Sequence, residues 1–256
     1  RKFGFSEVLL SYTLKVYGVW QSGAEGNYLL REKQYAYNGN ALAKLLVGNK
    51  IANQIALLKN LPAQTPGLQR SLQSLQQYQL GLAGQPLEHA QILGMEGIAA
   101  RVFFEAWYGH TGWAGRKPRT KACPINTTLD MGYTYLFNFM ESLLTLYGFD
   151  VYRGVYHRAF YQRKSLVCDL VEPFRCIIDR KVRAAYNLKQ LQADHFQQIQ
   201  GRYLLLPEHN KTYTRWLLES ILERKTELFQ YVQDYYRCFM RSRPAESYPQ
   251  FFIEKP

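Results

Sequence analysis

No apolar run in this 256-residue chain approaches the roughly 20 residues that a membrane-crossing helix needs. Its first residues, Arg1 to Ser6, do not lead into a signal-peptide pattern either. Cysteine is scarce: Cys123, Cys168, Cys176 and Cys238 form no CxxC pair, which argues against a zinc site and a disulfide scaffold and for a reduced cytosol. There is no glycine-rich phosphate loop and no nucleophilic Ser or Cys triad, so ATPase and triad-hydrolase chemistry are set aside. No period of 20 to 50 residues repeats, which excludes a solenoid.

What is present is a large apolar fraction, 47%, enough for a substantial core. The 32 Lys and Arg against 20 Asp and Glu give a net charge of +12. Such a balance favours an acidic polymer or an anionic membrane surface as partner, with a polyanion as the first reading.

The chain reads as mainly α. Val8 to Tyr37 is aromatic and β-branched, with Gly18, Gly23 and Gly26 as punctuation, and predicts two or three short strands. Helices are expected at about Ala41–Leu61, Leu68–Leu80, Leu87–Tyr108, Thr127–Tyr147, Leu166–Asn187 and Lys211–Met240. This gives a short β-rich N-terminal segment, 1–39, before a large all-helical domain, 40–256. For Phe251, Phe252 and Ile253 near the C-terminal end, docking on a partner and folding back both stand as readings.

Two acidic features interrupt this pattern. Ile92, Glu96, Ala99, Phe103 and Trp107 share one helical face, so Glu96 sits inside an apolar stripe. A carboxylate there must be protonated, paired with a cation or bound to a metal. The second feature joins His157 to Asp169 and Glu172, two acids three residues apart on one helical face. Oxygen ligands with one imidazole suit Mg²⁺ or Mn²⁺ better than a thiolate-loving metal. A dipole-stabilised acidic helix start, or an Arg175–Glu172 pair, would explain the same acids without a metal. Pro173 disfavours the α conformation at Glu172.

Basic residues surround both features. Arg116, Lys117, Arg119 and Lys121 fall in one loop, and Arg153, Arg158, Arg163 and Lys164 flank His157. They make a candidate DNA path dominated by phosphate contacts.

Four stretches together resemble the integrase subunit of the CRISPR spacer-acquisition complex, from about Asn40 to Ile253. They are KLLVGNKIANQIALL (44–58), MEGIAARVFFEAW (95–107), GRKPRTKACPINTTLDMGYTYL (115–136) and YRGVYHRAFYQRKSLVCDLVEPFR (152–175), the last being long and irregular. The resemblance implies an endonuclease/integrase that inserts short DNA into a CRISPR array, by attack of a 3′-hydroxyl on a repeat phosphodiester. It implies that Glu96, His157 and Glu172 hold Mg²⁺ or Mn²⁺, with Asp169 as a nearby acid that ligates or orients. The partners it implies are prespacer and repeat DNA, a second copy of the chain, and a small CRISPR-associated subunit bridging such dimers, in a prokaryotic cytoplasm. Family members usually carry a fuller β-rich N-terminal domain, so 1–39 reads as a truncated remnant. The competing readings are a non-catalytic DNA-binding scaffold, with its acids neutralised by arginines, and a stand-alone nuclease for branched DNA.

Overall fold

A computed structural model describes residues 27–254, apart from 38, 85, 114 and 159. Residues 1–26, where most of the expected strands fall, lie outside the described residues. The remainder of that stretch is a correction: α1, Tyr28–Ala36, is a helix. Its sequence, YLLREKQYA, does not alternate, and it buries Leu30 and Gln34, one helical turn apart. Gln34 seals the contact by accepting from the Asp150 amide (2.9 Å) and donating to the Asp150 carbonyl (3.1 Å).

The other elements follow the helical reading closely. They are α2 (Ala41–Lys59), α3 (Pro66–Gly84), α4 (His89–Tyr108), α5 (Pro124–Leu146), α6 (Ser165–Val171), α7 (Arg175–Asn187), α8 (Pro207–Leu222) and α9 (Lys225–Met240). Two expected helices are divided. The first breaks at Pro173, where Glu172–Phe174 tightens into one 3-10 turn between α6 and α7. The second is interrupted after Leu222, and α9 restarts at Lys225. Among the described residues no helix is long and apolar enough to cross a membrane.

A hairpin that the periodicity did not reveal joins α7 to α8. Strands β1 (Phe196–Ile199) and β2 (Arg202–Leu205) pair antiparallel, with Ile199 opposite Arg202. The turn residues Gln200 and Gly201 both have left-handed φ, 49° and 75°. That geometry matches the twist of a tight hairpin. The strands are only four residues each, too short to stand out beside the helices.

Helix α2 organises the fold. It is apolar on most of its circumference, burying Leu42, Leu46, Ile51, Ile55 and Leu58 among others, and such a helix belongs at the centre. It packs on α3, α4, α6, α7 and the 172–174 turn. Its two buried asparagines then fix what surrounds it. Asn49 Nδ2 donates to the Phe251 carbonyl (2.7 Å), and Asn49 Oδ1 accepts from the Phe251 amide (2.9 Å). Asn53 Nδ2 reaches both the Phe251 carbonyl (2.8 Å) and the Pro173 carbonyl (3.1 Å), while its Oδ1 accepts from the Ile253 amide.

The C-terminal stretch is therefore strapped onto α2. Phe251 and Ile253 are buried, Phe251 stacks on Phe174 with ring centroids 4.4 Å apart, and only Phe252 is substantially exposed. The reading of these three residues as an element for docking on a partner is corrected by this: two of the three are core. The backbone amides at 251 and 253 need acceptors, and the α2 asparagines supply them.

Candidate active site

Three elements meet at one point because α2 packs simultaneously on α4 and on the 172–174 turn. Lys50 projects from α2, Glu96 from α4 and Glu172 from the turn. Burial of Ile92, Ala99, Phe103 and Trp107 fixes the rotation of α4 and carries Glu96 inward with them. Glu172 holds αR backbone angles, φ −53° and ψ −46°, despite the bias that Pro173 imposes. Tertiary contacts override that bias, since Asn53 ties the Pro173 carbonyl to α2 and Phe174 is fully buried.

The two carboxylates converge on a single ammonium. Lys50 Nζ donates to Glu96 Oε1 and lies 2.7 Å from Glu172 Oε2, while Arg175 Nη2 lies 2.9 Å from Glu172 Oε1. Burial alone would raise the pKa of Glu172, but Arg175 and Lys50 outweigh it and hold the carboxyl at about 2. Glu172 is therefore ionised throughout the neutral range. Burial opposes the charge on Lys50 in the same way, yet Glu172 and Glu96 more than compensate and shift its pKa upward. The pairing is balanced, two acids against two bases, as a buried charge cluster has to be.

Asp169 does a different job. It is fully buried, and its Oδ2 accepts from the amides of Val155 (2.7 Å) and Tyr156 (2.9 Å). Its Oδ1 accepts from the His157 amide (2.8 Å) and lies 2.6 Å from His157 Nδ1. One carboxylate thus shapes the 155–157 loop and fixes the imidazole, leaving Nε2 as the ring nitrogen not engaged by Asp169. The loop can come this close only because of Gly154, where a Cβ would fall 2.6 Å from Asp169 Oδ2 and 2.8 Å from the His157 carbonyl oxygen.

Of the four acids and bases singled out in the sequence, Glu96 and Glu172 share one cation, and His157 is paired with Asp169. His157 also lies near enough to Glu172 to help hold that carboxyl ionised. Tyr156 lies beside them: burial, then the charges of Glu96, Glu172 and Asp169, push its phenol pKa far up, so it stays protonated.

The donor set, two carboxylates and one imidazole, fits a hard divalent ion. Two buried polar atoms of this region, Tyr156 Oη and Arg175 Nε, lack a hydrogen-bond partner, whereas Glu172 Oε2 has the Lys50 ammonium 2.7 Å away. Unpartnered atoms of this kind call for a ligand or solvent. As placed, however, no three His, Cys, Asp or Glu side chains among the described residues lie close enough together to hold a metal, and it is Lys50 that stands between the two carboxylates.

Lys50, the cation on which Glu96 and Glu172 converge, is a candidate-site residue that the sequence reading missed. The signal was available: a lysine in the middle of a helix buried nearly all round demands a counter-charge by the argument that singled out Glu96.

A cavity of about 690 Å³ opens beside these groups, lined by Lys50, Glu96, Glu172 and Arg175 and, from the 115–123 loop, by Arg119 and Lys121. The basic residues divide by what they touch. Arg116 is spent on the framework, with Nη2 2.5 Å from Asp130 and Nη1 donating to Asn126 (2.9 Å). Arg153 folds onto the end of α1, donating to the carbonyls of Gln34 and Tyr35, and Lys164 pairs with Glu141 at 2.5 Å. Lys117, Arg119, Arg158 and Arg163 are exposed, and Lys121 is half-buried. Between Arg158 and Arg163 the loop also exposes Phe160 and Tyr161, 75% and 82% open. Cations interleaved with open aromatic rings suit a nucleic-acid strand, by phosphate contact and by stacking.

Comparison with known proteins gives a consistent picture. The family model described as CRISPR associated protein Cas1 matches residues 2–218. The chain is 29% identical over 225 residues to CRISPR-associated endonuclease Cas1 1 of Thermodesulfovibrio yellowstonii, covering 82% of this chain and 71% of that protein. A protein of the same name from Pyrobaculum aerophilum is 34% identical over 163 residues, covering 61% of this chain and 54% of the relative. Among solved structures, a chain of a partial Cas6-RT-Cas1–Cas2 complex superposes with a TM-score of 0.83 at 21% identity, covering 92% of this chain and 76% of that one. A casposase bound to integration product gives 0.72 at 19%, covering 89% and 73%. At these identities the structural likeness speaks for the fold.

Proposed function

Because the chain belongs to the CRISPR-associated Cas1 family, we propose that it is a divalent-metal-dependent DNA endonuclease and integrase that inserts short DNA into a CRISPR array. The observation that carries this reading is the convergence of Glu96 and Glu172, from separate elements, on one cation position beside a basic, open cavity. The relatives named endonucleases support the same class of chemistry.

The reaction is a phosphodiester exchange. A 3′-hydroxyl oxygen of the incoming DNA forms a bond to phosphorus, the bond from phosphorus to another 3′-oxygen breaks, and the proton lost by the first oxygen is balanced by one taken up by the second. One phosphodiester replaces another, so the protein's task is alignment and charge stabilisation. Glu96, Glu172 and His157 would hold Mg²⁺ or Mn²⁺, and a bound divalent ion supplies polarisation of the phosphate and a more acidic attacking hydroxyl. Asp169 keeps the imidazole of His157 turned with Nδ1 inward. Arg175 remains on Glu172 Oε1 and holds that carboxylate ionised. Arg119 and Lys121 line the route by which a phosphate backbone enters, and Arg158 and Arg163 extend the basic surface beyond His157. Water in place of the hydroxyl converts the same exchange into nicking.

A second copy of the chain and a small bridging subunit are proposed as partners; a partial Cas6-RT-Cas1–Cas2 complex is among the structures of like fold. One observation favours a second reading, a DNA-binding scaffold without catalysis: Lys50 and Arg175 already neutralise both carboxylates.

A joining assay separates the two. Purified protein with the bridging subunit, a fluorescent 3′-hydroxyl duplex and a repeat-containing plasmid is expected to give joined product with Mn²⁺ or Mg²⁺ and none in EDTA. DNA binding without joining under either metal would establish the scaffold. Cutting without joining would indicate a stand-alone nuclease.

A further inference from the structure

Glu96 and Glu172 meet through an ammonium group, and the consequence concerns how the proposed metal centre is loaded. Lys50 Nζ takes Glu96 Oε1 and the inner oxygen of Glu172, Oε2, whereas Arg175 takes the outer one, Oε1. The Lys50 side chain is only 11% exposed, and α2 is packed on nearly every side, so this position is built into the fold. A divalent ion between the two acids needs the oxygens that Lys50 holds. Two cations cannot share them: like charges a few ångströms apart in a poorly hydrated site repel strongly.

We infer that Lys50 is a resident counter-cation that a divalent ion must displace, so that loading is an exchange of ammonium for metal between Glu96 and Glu172. This rests on the metal-centre reading of the preceding subsection. Lys50 has two opposed effects. Before loading it offsets the repulsion between two carboxylates supplied by different elements, and so keeps them converged. During loading it competes with the ion, and so lowers its apparent affinity. Arg175 is outside the exchange, because it engages the other oxygen of Glu172. The open cavity beside Lys50 gives the displaced side chain somewhere to go.

The test is titration of Mn²⁺ alone, with the free ion followed by electron paramagnetic resonance and the melting temperature followed in parallel. It uses the wild-type chain, Lys50→Gln, Lys50→Met and Lys50→Arg. Gln keeps a hydrogen-bond donor for the carboxylates, which Met lacks, and the metal-free melt of each variant reports whether it is folded. Lys50→Gln is expected to bind Mn²⁺ on the order of tenfold more tightly than wild type. It should also melt lower without metal and gain more in melting temperature when Mn²⁺ is added. Lys50→Arg, which retains the charge, binds no more tightly than wild type. Wild-type or weaker Mn²⁺ affinity in Lys50→Gln would overturn the exchange while leaving the metal centre standing. If neither wild type nor any variant bound Mn²⁺, the metal centre itself would fall, and the exchange with it.

Discussion

Replacing Glu96 with alanine is expected to lower both joining and nicking by on the order of 10²–10³-fold, with little change in the fold. The carboxylate is one of the two that converge on Lys50, and no other acid among the described residues occupies its place on α4. Stability falls as well, because the buried cluster is left with two bases against one acid, but Lys50 keeps Glu172 and borders the open cavity, so the loss stays below the roughly 3–5 kcal/mol of a fully buried pair. The melting temperature should drop by a few degrees, about 2–4 °C for each kcal/mol lost. Both quantities come from one protein preparation, by the joining assay and a circular-dichroism melt. Undiminished joining in Glu96→Ala would remove α4 from the site.

Asp169→Asn should behave in the opposite order, with a large effect on stability and a moderate one on metal. The wild-type carboxylate accepts from three backbone amides and engages His157 Nδ1, with no exposure to water. An amide of the same shape must turn its NH₂ group toward at least one of those donors, leaving a buried N–H unsatisfied. A loss of about 3 kcal/mol in urea unfolding is expected. Activity falls with the lost orientation of His157, by about 10–100-fold, as for other groups that position a metal ligand. Mn²⁺ binding survives, because Glu96 and Glu172 are untouched. Metal binding in Asp169→Asn as weak as in Glu96→Ala would make Asp169 a ligand after all.

That distinction was only half legible in the sequence. The chain-wise distance between His157 and Asp169 says nothing about orientation, and the role of Asp169 emerges from a loop that Gly154 allows to approach within hydrogen-bond reach. Glu96 was legible because a helix has a fixed period: a charged position amid Ile92, Ala99, Phe103 and Trp107 has to face inward. The same arithmetic applies to Lys50, but α2 is apolar almost all round and so lacks the contrast that makes one face stand out.

Helix existence followed from periodicity along most of the described chain, but the break between α6 and α7 did not: the expected helix ran unbroken from Leu166 to Asn187, and the bias noted at Pro173 was not carried through to a division there. What periodicity could not give was context. Tyr28–Ala36 became a helix through its contacts with 150–153 and α9. The 196–205 hairpin depends on a two-residue left-handed turn. Phe251 and Ile253 look like an apolar docking tail until the two asparagines of α2 are seen to bind their backbone. Of the basic residues, charge alone did not separate Arg116, Arg153 and Lys164, which hold the framework together, from Arg158 and Arg163, which face solvent.

The central claim, that Glu96, Glu172 and His157 form one divalent-metal centre, is tested most directly by a crystal of the protein soaked in Mn²⁺ and measured at the manganese absorption edge. An anomalous peak at about 2.2 Å from carboxylate oxygens of Glu96 and Glu172 and from His157 Nε2, with the Lys50 ammonium moved away, is the predicted result. Lys50 still bridging the two carboxylates, with no anomalous peak between them at saturating Mn²⁺, would contradict it.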